Sequence, residues 1–125
     1  TVADWLTRDE AIVDTYMADP RCQFMFTLNG YFEMFKGIQY ITNKKNIAKV
    51  NKKLPVLFIS GDADPVGGYG EGVQKVHDMF VDMGIENVDM LMYEDARHEV
   101  LNELNRMDVY QDLYDWLNKE ISFKH

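Results

Sequence analysis

Apolar residues at the start of the chain recur at helical spacing. Ile12, Val13, Tyr16 and Met17 share one helix face, and the run stops at Asp19-Pro20. Thr7 and Glu10 stand ahead of it at capping-box spacing, which predicts a short amphipathic helix. After an apolar stretch from Phe24 to Leu28, Asn29-Gly30 opens a second pattern, with Tyr31, Phe32, Phe35, Ile38 and Ile41 three and four apart. From Leu54 the period changes. Leu54 to Ser60 is a continuous apolar run with Pro55 near its start, as expected of a parallel strand buried on both faces, and it ends at Gly61. Val73, Val76, Phe80 and Val81 then mark a helix closed by Gly84. Val88 to Tyr93 reads as a second strand and Asp95 to His98 as a loop. Val109, Leu113, Trp116 and Leu117 form the apolar face of a last helix.

Strand, loop, helix, strand, loop and helix in that order predict an α/β architecture. A helical segment (1–53) precedes a strand-helix-strand-helix unit (54–125) whose two strands run parallel by the right-handed crossover rule. The loops that follow the two strands then lie at the same edge of the sheet.

Composition narrows the class. With 125 residues, 46% hydrophobic and 27% charged, the chain is of single-domain size, and no apolar run reaches the roughly 18 residues of a membrane span. Thirteen basic against 21 acidic residues give a net charge of -8, which disfavours nucleic acid and anionic lipid partners. The charge divides unevenly: +2 over residues 1–53 and -10 over 54–125. The basic excess, at Lys44, Lys45, Lys49, Lys52 and Lys53, reads as a solvated connector. One cysteine, Cys22, allows no internal disulfide, and the N-terminus lacks a secretory pattern, so a cytoplasmic location is expected.

Catalytic and ligand-binding groups in open α/β sheets collect beyond the carboxyl ends of the strands. Asp62, Asp64 and His98 fall there. A carboxylate that accepts from one imidazole nitrogen fixes the tautomer, leaving the other nitrogen free to act as a base. The same three side chains also suit a divalent metal. Gly67 to Gly72 lacks the Lys and Ser/Thr of a phosphate-binding loop, and no cofactor is implied. His77, on the polar side of the middle helix, and the terminal His125 carry no assigned role. Arg97 is expected to pair with Glu99 or Glu103 and so order the histidine loop.

Gly61-Asp62-Ala63-Asp64-Pro65-Val66-Gly67 and Ala96-Arg97-His98-Glu99-Val100-Leu101-Asn102-Glu103 together resemble the acid and histidine loops of the α/β-hydrolases. The resemblance is closest to the branch of serine aminopeptidases, monoacylglycerol lipases and lysophospholipases. It implies that Asp64 is the triad acid and His98 the general base. It also implies that residues 1–53, beginning Thr7-Arg8-Asp9-Glu10, are a helical cap set before the strand that bears the acid. In such a cap Phe24, Phe26, Tyr31 and Phe35, within an aromatic and Met-rich stripe running from Tyr16 to Phe35, are candidate contacts for a small apolar ester or lipid-like substrate.

The hydrolase nucleophile stands in a G-x-S-x-G elbow, and the only serines here, Ser60 and Ser122, lie outside any such motif. The expectation is therefore a C-terminal portion of a serine ester hydrolase, inactive alone, whose nucleophile and remaining strands come from an N-terminal half. With unpaired strand edges and exposed aromatic helices, the isolated chain is expected to form homo-oligomers. A truncated non-catalytic interaction domain and a metal-dependent hydrolase centred on the same carboxylates are the competing readings.

Overall fold

A computed structural model describes residues 1–122. In chain order the elements are α1 (Glu10–Ala18), a 3₁₀ turn (Pro20–Cys22), α2 (Leu28–Ile41), α3 (Lys44–Ile47), β1 (Val56–Gly61), α4 (Glu71–Asp82), β2 (Val88–Tyr93), a second 3₁₀ turn (Val100–Asn102) and α5 (Arg106–Ser122). Ser122 thus ends the last helix rather than lying in a tail beyond it, and His125 falls outside the described residues.

β1 and β2 pair in parallel from Val56↔Val88 to Gly61↔Tyr93. Adjacent strand residues face opposite sides, and the two helices divide accordingly. Phe58 meets Phe80 of α4 edge to face at 5.3 Å. On the opposite face, Ile59, Leu91 and Tyr93 pack with Val109 and Leu113 of α5, together with Ala96 and Val100. Three polar links hold α5 to β2: Trp116 Nε1 donates to Asp89 Oδ2 at 2.7 Å, Lys119 Nζ to the same oxygen at 3.4 Å, and the Tyr93 hydroxyl to Asp112 Oδ2 at 3.0 Å. Burial, reinforced by the Asp112 carboxylate, pushes the Tyr93 phenol up to about 12.

Four local expectations are corrected. The strands are half-buried for most of their length instead of fully buried, because one helix covers each face and each strand keeps a free edge. The first helix is capped by Asp9, whose Oδ1 accepts from the N–H groups of Ala11 and Ile12 at 3.2 and 3.4 Å. The Thr7 hydroxyl, two residues earlier, is engaged instead with Asp9 N–H and the Asn102 carbonyl. α2 begins at Leu28, with Thr27 Oγ1 accepting from Gly30 N–H at 3.1 Å. The basic connector contains α3, whose Ile47 is buried, so one apolar residue anchors an otherwise solvated stretch.

The expected aromatic and methionine stripe divides in two. Tyr16 and Met17 pack against a small core of Ala3, Leu6 and Val13. The residues from Phe24 onward remain exposed on α2 and the loop before it.

Candidate active site

The loops after β1 and β2 are joined by backbone bonds before any side chain takes part. Asp62 N–H donates to Tyr93 O at 3.1 Å and Ala63 N–H to Ala96 O at 3.0 Å. Gly61 permits this approach, since an ideal Cβ there would stand 1.9 Å from Ala96 O and 2.6 Å from Arg97 O. Asp95 sits at φ 56°, in the left-handed region that Asp tolerates better than most residues, and turns the chain into the histidine loop.

Asp64 occupies an Asp-Pro turn. Its Oδ1 accepts from Val66 N–H at 2.8 Å, and its carbonyl accepts from Tyr69 N–H at 2.8 Å. The carboxylate is buried, with Gly67 leaving room for Oδ2, where a Cβ would come within 3.0 Å. Oδ2 lies 3.0 Å from His98 Nδ1. An ionised carboxylate can only accept, so Nδ1 carries the proton and Nε2 presents a lone pair. The structure thus joins Asp64 to His98. Asp62 does not share this bond: it is exposed and lines a groove of about 760 Å³ with Tyr69, Lys75, Met90 and Met92. Among the described residues, no three His, Cys, Asp or Glu side chains come together in a group able to hold a metal ion.

His98 is held on two further sides by Trp5, whose part was not legible in the sequence. Its N–H donates to Trp5 O at 3.3 Å, and the two rings stand 5.1 Å apart at a 52° tilt. Glu99 N–H likewise donates to Leu6 O at 2.7 Å. No spacing rule signals a contact across more than 90 residues.

The expected pairing of Arg97 is corrected. Its guanidinium bonds the carbonyls of Asp4 and Thr7, while its backbone N–H donates to Glu103 Oε1 at 2.9 Å. The ion-pair partner of Glu103 is Arg8, with Nε 2.9 Å from Oε2. His77 is corrected too. Its ring packs edge to face on Phe58 at 6.1 Å, and Nδ1 lies 3.0 Å from Asp78 Oδ1.

Glu103 is fully buried with four donors on two oxygens. Oε1 accepts from the N–H groups of Arg8 and Arg97, and Oε2 from Arg8 Nε and Leu104 N–H. Burial pushes this carboxyl up, but the bonds from Arg97, Arg8 and Leu104 together outweigh it and hold it below the ordinary carboxylate range. Glu103→Gln turns an amide NH₂ toward two N–H donors whichever way it is flipped. The expected loss is about 3 kcal/mol near neutral pH, measured by urea unfolding. With the folded value below the unfolded value of about 4.3, this stabilisation is complete above about pH 5 and disappears as pH falls through the folded value. The stability curves of parent and variant are therefore expected to converge in acid.

Phe24, Phe26, Tyr31 and Phe35 form one continuous row. Phe24 and Phe26 meet edge to face at 5.5 Å, Phe26 and Tyr31 at 5.4 Å, and Tyr31 stacks on Phe35 at 6.5 Å. All four are exposed, and these ring contacts run within the row, whereas the ring contact of His98 is with Trp5.

A parallel pair with a helix on each face, and an acid and a histidine meeting beyond the strand ends, is an α/β-hydrolase arrangement. The chain belongs to the serine aminopeptidase S33 family, whose model matches residues 1–105. Among solved structures it is similar to a highly thermostable carboxyl esterase from Bacillus coagulans, determined in complex with glycerol. The two are 31% identical, with a TM-score of 0.87 over 97% of this chain and 40% of the esterase. It is also similar to a lipase in its open form, at 26% identity and a TM-score of 0.78 over 94% of this chain and 38% of the lipase. The chain therefore spans about two fifths of these two proteins. No curated protein matches it significantly in sequence. None of the helices among the described residues is long and apolar enough to cross a membrane.

Proposed function

We propose that this chain supplies the acid and base of a serine ester hydrolase, with His98 as general base and Asp64 as the acid that orients it. The observation that carries this reading is the 3.0 Å bond between buried Asp64 Oδ2 and His98 Nδ1, which leaves Nε2 free. In the reaction, Nε2 takes the proton of a serine hydroxyl as its oxygen bonds the ester carbonyl carbon, and Asp64 stabilises the imidazolium that forms. The proton passes to the leaving alkoxide as the ester C–O bond breaks, and water then releases the acyl group by the same steps.

The nucleophile in this reading comes from outside these 125 residues. Ser60 is buried at the end of β1, with its hydroxyl directed to Gly61 O at 3.3 Å. Residues 1–53 act as a helical cap on the unit formed by 54–125. The row of Phe24, Phe26, Tyr31 and Phe35 contacts the acyl group of a small apolar or lipid-like ester, of the kind taken by lysophospholipases and monoacylglycerol lipases. Support comes from family membership and from the likeness to an esterase and a lipase.

A fluorophosphonate probe with intact-mass detection tests the reading. The 125-residue chain is expected to remain unlabelled. A hydrolase carrying it with a G-x-S-x-G segment is expected to label once, and to lose that labelling in His98→Ala. Stoichiometric labelling of Ser60 or Ser122 in the 125-residue chain overturns the reading.

A further inference from the structure

We propose that Glu103 is a positioning residue for His98, acting through the backbone that carries the imidazole; this rests on the reading of His98 as the general base. A single oxygen, Oε1, accepts from Arg97 N–H at 2.9 Å and from Arg8 N–H at 3.1 Å. It therefore joins the residue just before His98 to a segment about 90 positions earlier. The other oxygen takes Arg8 Nε at 2.9 Å and, from the adjacent residue, Leu104 N–H at 3.1 Å, which fixes the carboxylate in place.

That join sets the histidine on its supports. The turn and bend formed by residues 4–8 give His98 N–H its acceptor at Trp5 O and lay the Trp5 ring beside the imidazole. Asp64 constrains only Nδ1; the height and direction of Nε2 depend on where the backbone at 97–99 stands. Each neighbouring support is anchored in turn. Arg8 Nη2 donates to Asn105 Oδ1 at 3.0 Å, Thr7 Oγ1 to Asn102 O at 2.9 Å, and Arg106 reaches Asp9 at 3.1 Å. Glu103 and Thr7 are the side chains of this group that contact both sides of the join and are shielded from water, and Glu103 alone of the two gathers four donors. A carboxylate is needed there, because all four of its partners are donors and an amide supplies only one accepting oxygen.

Glu103→Gln in the hydrolase that carries this chain tests the inference. Misplacing a reacting group by about 1 Å can cost on the order of 10²-fold, so kcat for a p-nitrophenyl ester is expected to fall about 30- to 100-fold while KM stays within about threefold. Glu103→Asp, which keeps the charge and both oxygens, is expected to restore about a tenth or more of the parent kcat, with the low-field Nδ1 proton resonance of His98 returning alongside. Arg8→Met removes only the guanidinium contacts and leaves Oε1 bound to both N–H groups, and a fall of about fivefold is expected. A folded Glu103→Gln variant with parental kcat and an unchanged His98 resonance overturns the inference. Should Glu103→Gln fail to fold, parental kcat in Arg8→Met overturns it instead. An active His98→Ala variant would remove the underlying reading, whereas an inactive His98→Ala beside a fully active Glu103→Gln removes the role of Glu103 alone.

Discussion

In a hydrolase that carries this chain, His98→Ala and Asp64→Asn are each expected to lower kcat for ester hydrolysis by about 10⁴-fold, and Asp62→Asn by less than about tenfold. His98→Ala removes the base outright. The effect of Asp64→Asn follows from the turn. Val66 N–H donates to Oδ1, so the amide oxygen takes that position and the NH₂ faces His98 Nδ1. An NH₂ in that place favours an unprotonated Nδ1, which moves the ring proton to Nε2, where a base must be bare. Asp62 is exposed at the rim of a groove and makes no such bond. Steady-state kinetics on a p-nitrophenyl ester, with folding checked by circular dichroism, distinguish the three variants. Equal losses at positions 62 and 64 would remove the basis for choosing between the carboxylates.

The second large effect is expected at Gly61, where alanine should destabilise the fold by more than about 3 kcal/mol. An added methyl would stand 1.9 Å from Ala96 O, 2.2 Å from Ala96 C and 2.6 Å from Arg97 O. All three obstacles are backbone atoms, so no rotamer change relieves the clash. The two loops must separate, breaking the bonds from Asp62 and Ala63 to the second strand and its loop. Urea unfolding reads the stability, and the same substitution should weaken the Asp64 to His98 contact. Gly84→Ala is the control. It has φ 80°, with nothing within 4 Å of the added methyl, so it carries only backbone strain of order 1 kcal/mol. Equal effects at the two positions would mean that the close approach of the loops is not what Gly61 serves.

Several features were legible because a local pattern carries them. The β2 boundaries, Val88 to Tyr93, follow a segment that is apolar but for Asp89 between the polar Asn87 and Glu94, and α4 follows the 73, 76, 80 spacing up to Gly84. The stop of α1 before Pro20 follows from the missing N–H of proline. Thr7 and Glu10 have capping-box spacing, yet Asp9 caps α1, because the Thr7 hydroxyl is claimed by Asn102, far along the chain. Ile47 was lost among lysines because a single apolar residue has no period. Sequence proximity points Arg97 to Glu99 or Glu103, whereas the Glu103 carboxylate is taken by Arg8 and by backbone N–H groups.

By itself the sequence determined that two buried-type strands alternate with helices, that glycines punctuate the loop after the first strand, and that an Asp-Pro turn and a histidine follow the two strands. Strand pairing then carries both loops to one edge, since hydrophobic period and turn chemistry act over a few residues and require no distant partner. Only the tertiary structure decided that Trp5 lies against the His98 ring, and that Glu103 binds Arg8 and the Arg97 backbone instead of the Arg97 side chain. Those choices depend on groups more than 30 residues apart competing for the same few donors. That competition is settled by packing and burial, which exclude water from Asp64 and Glu103 and leave Asp62 exposed to it.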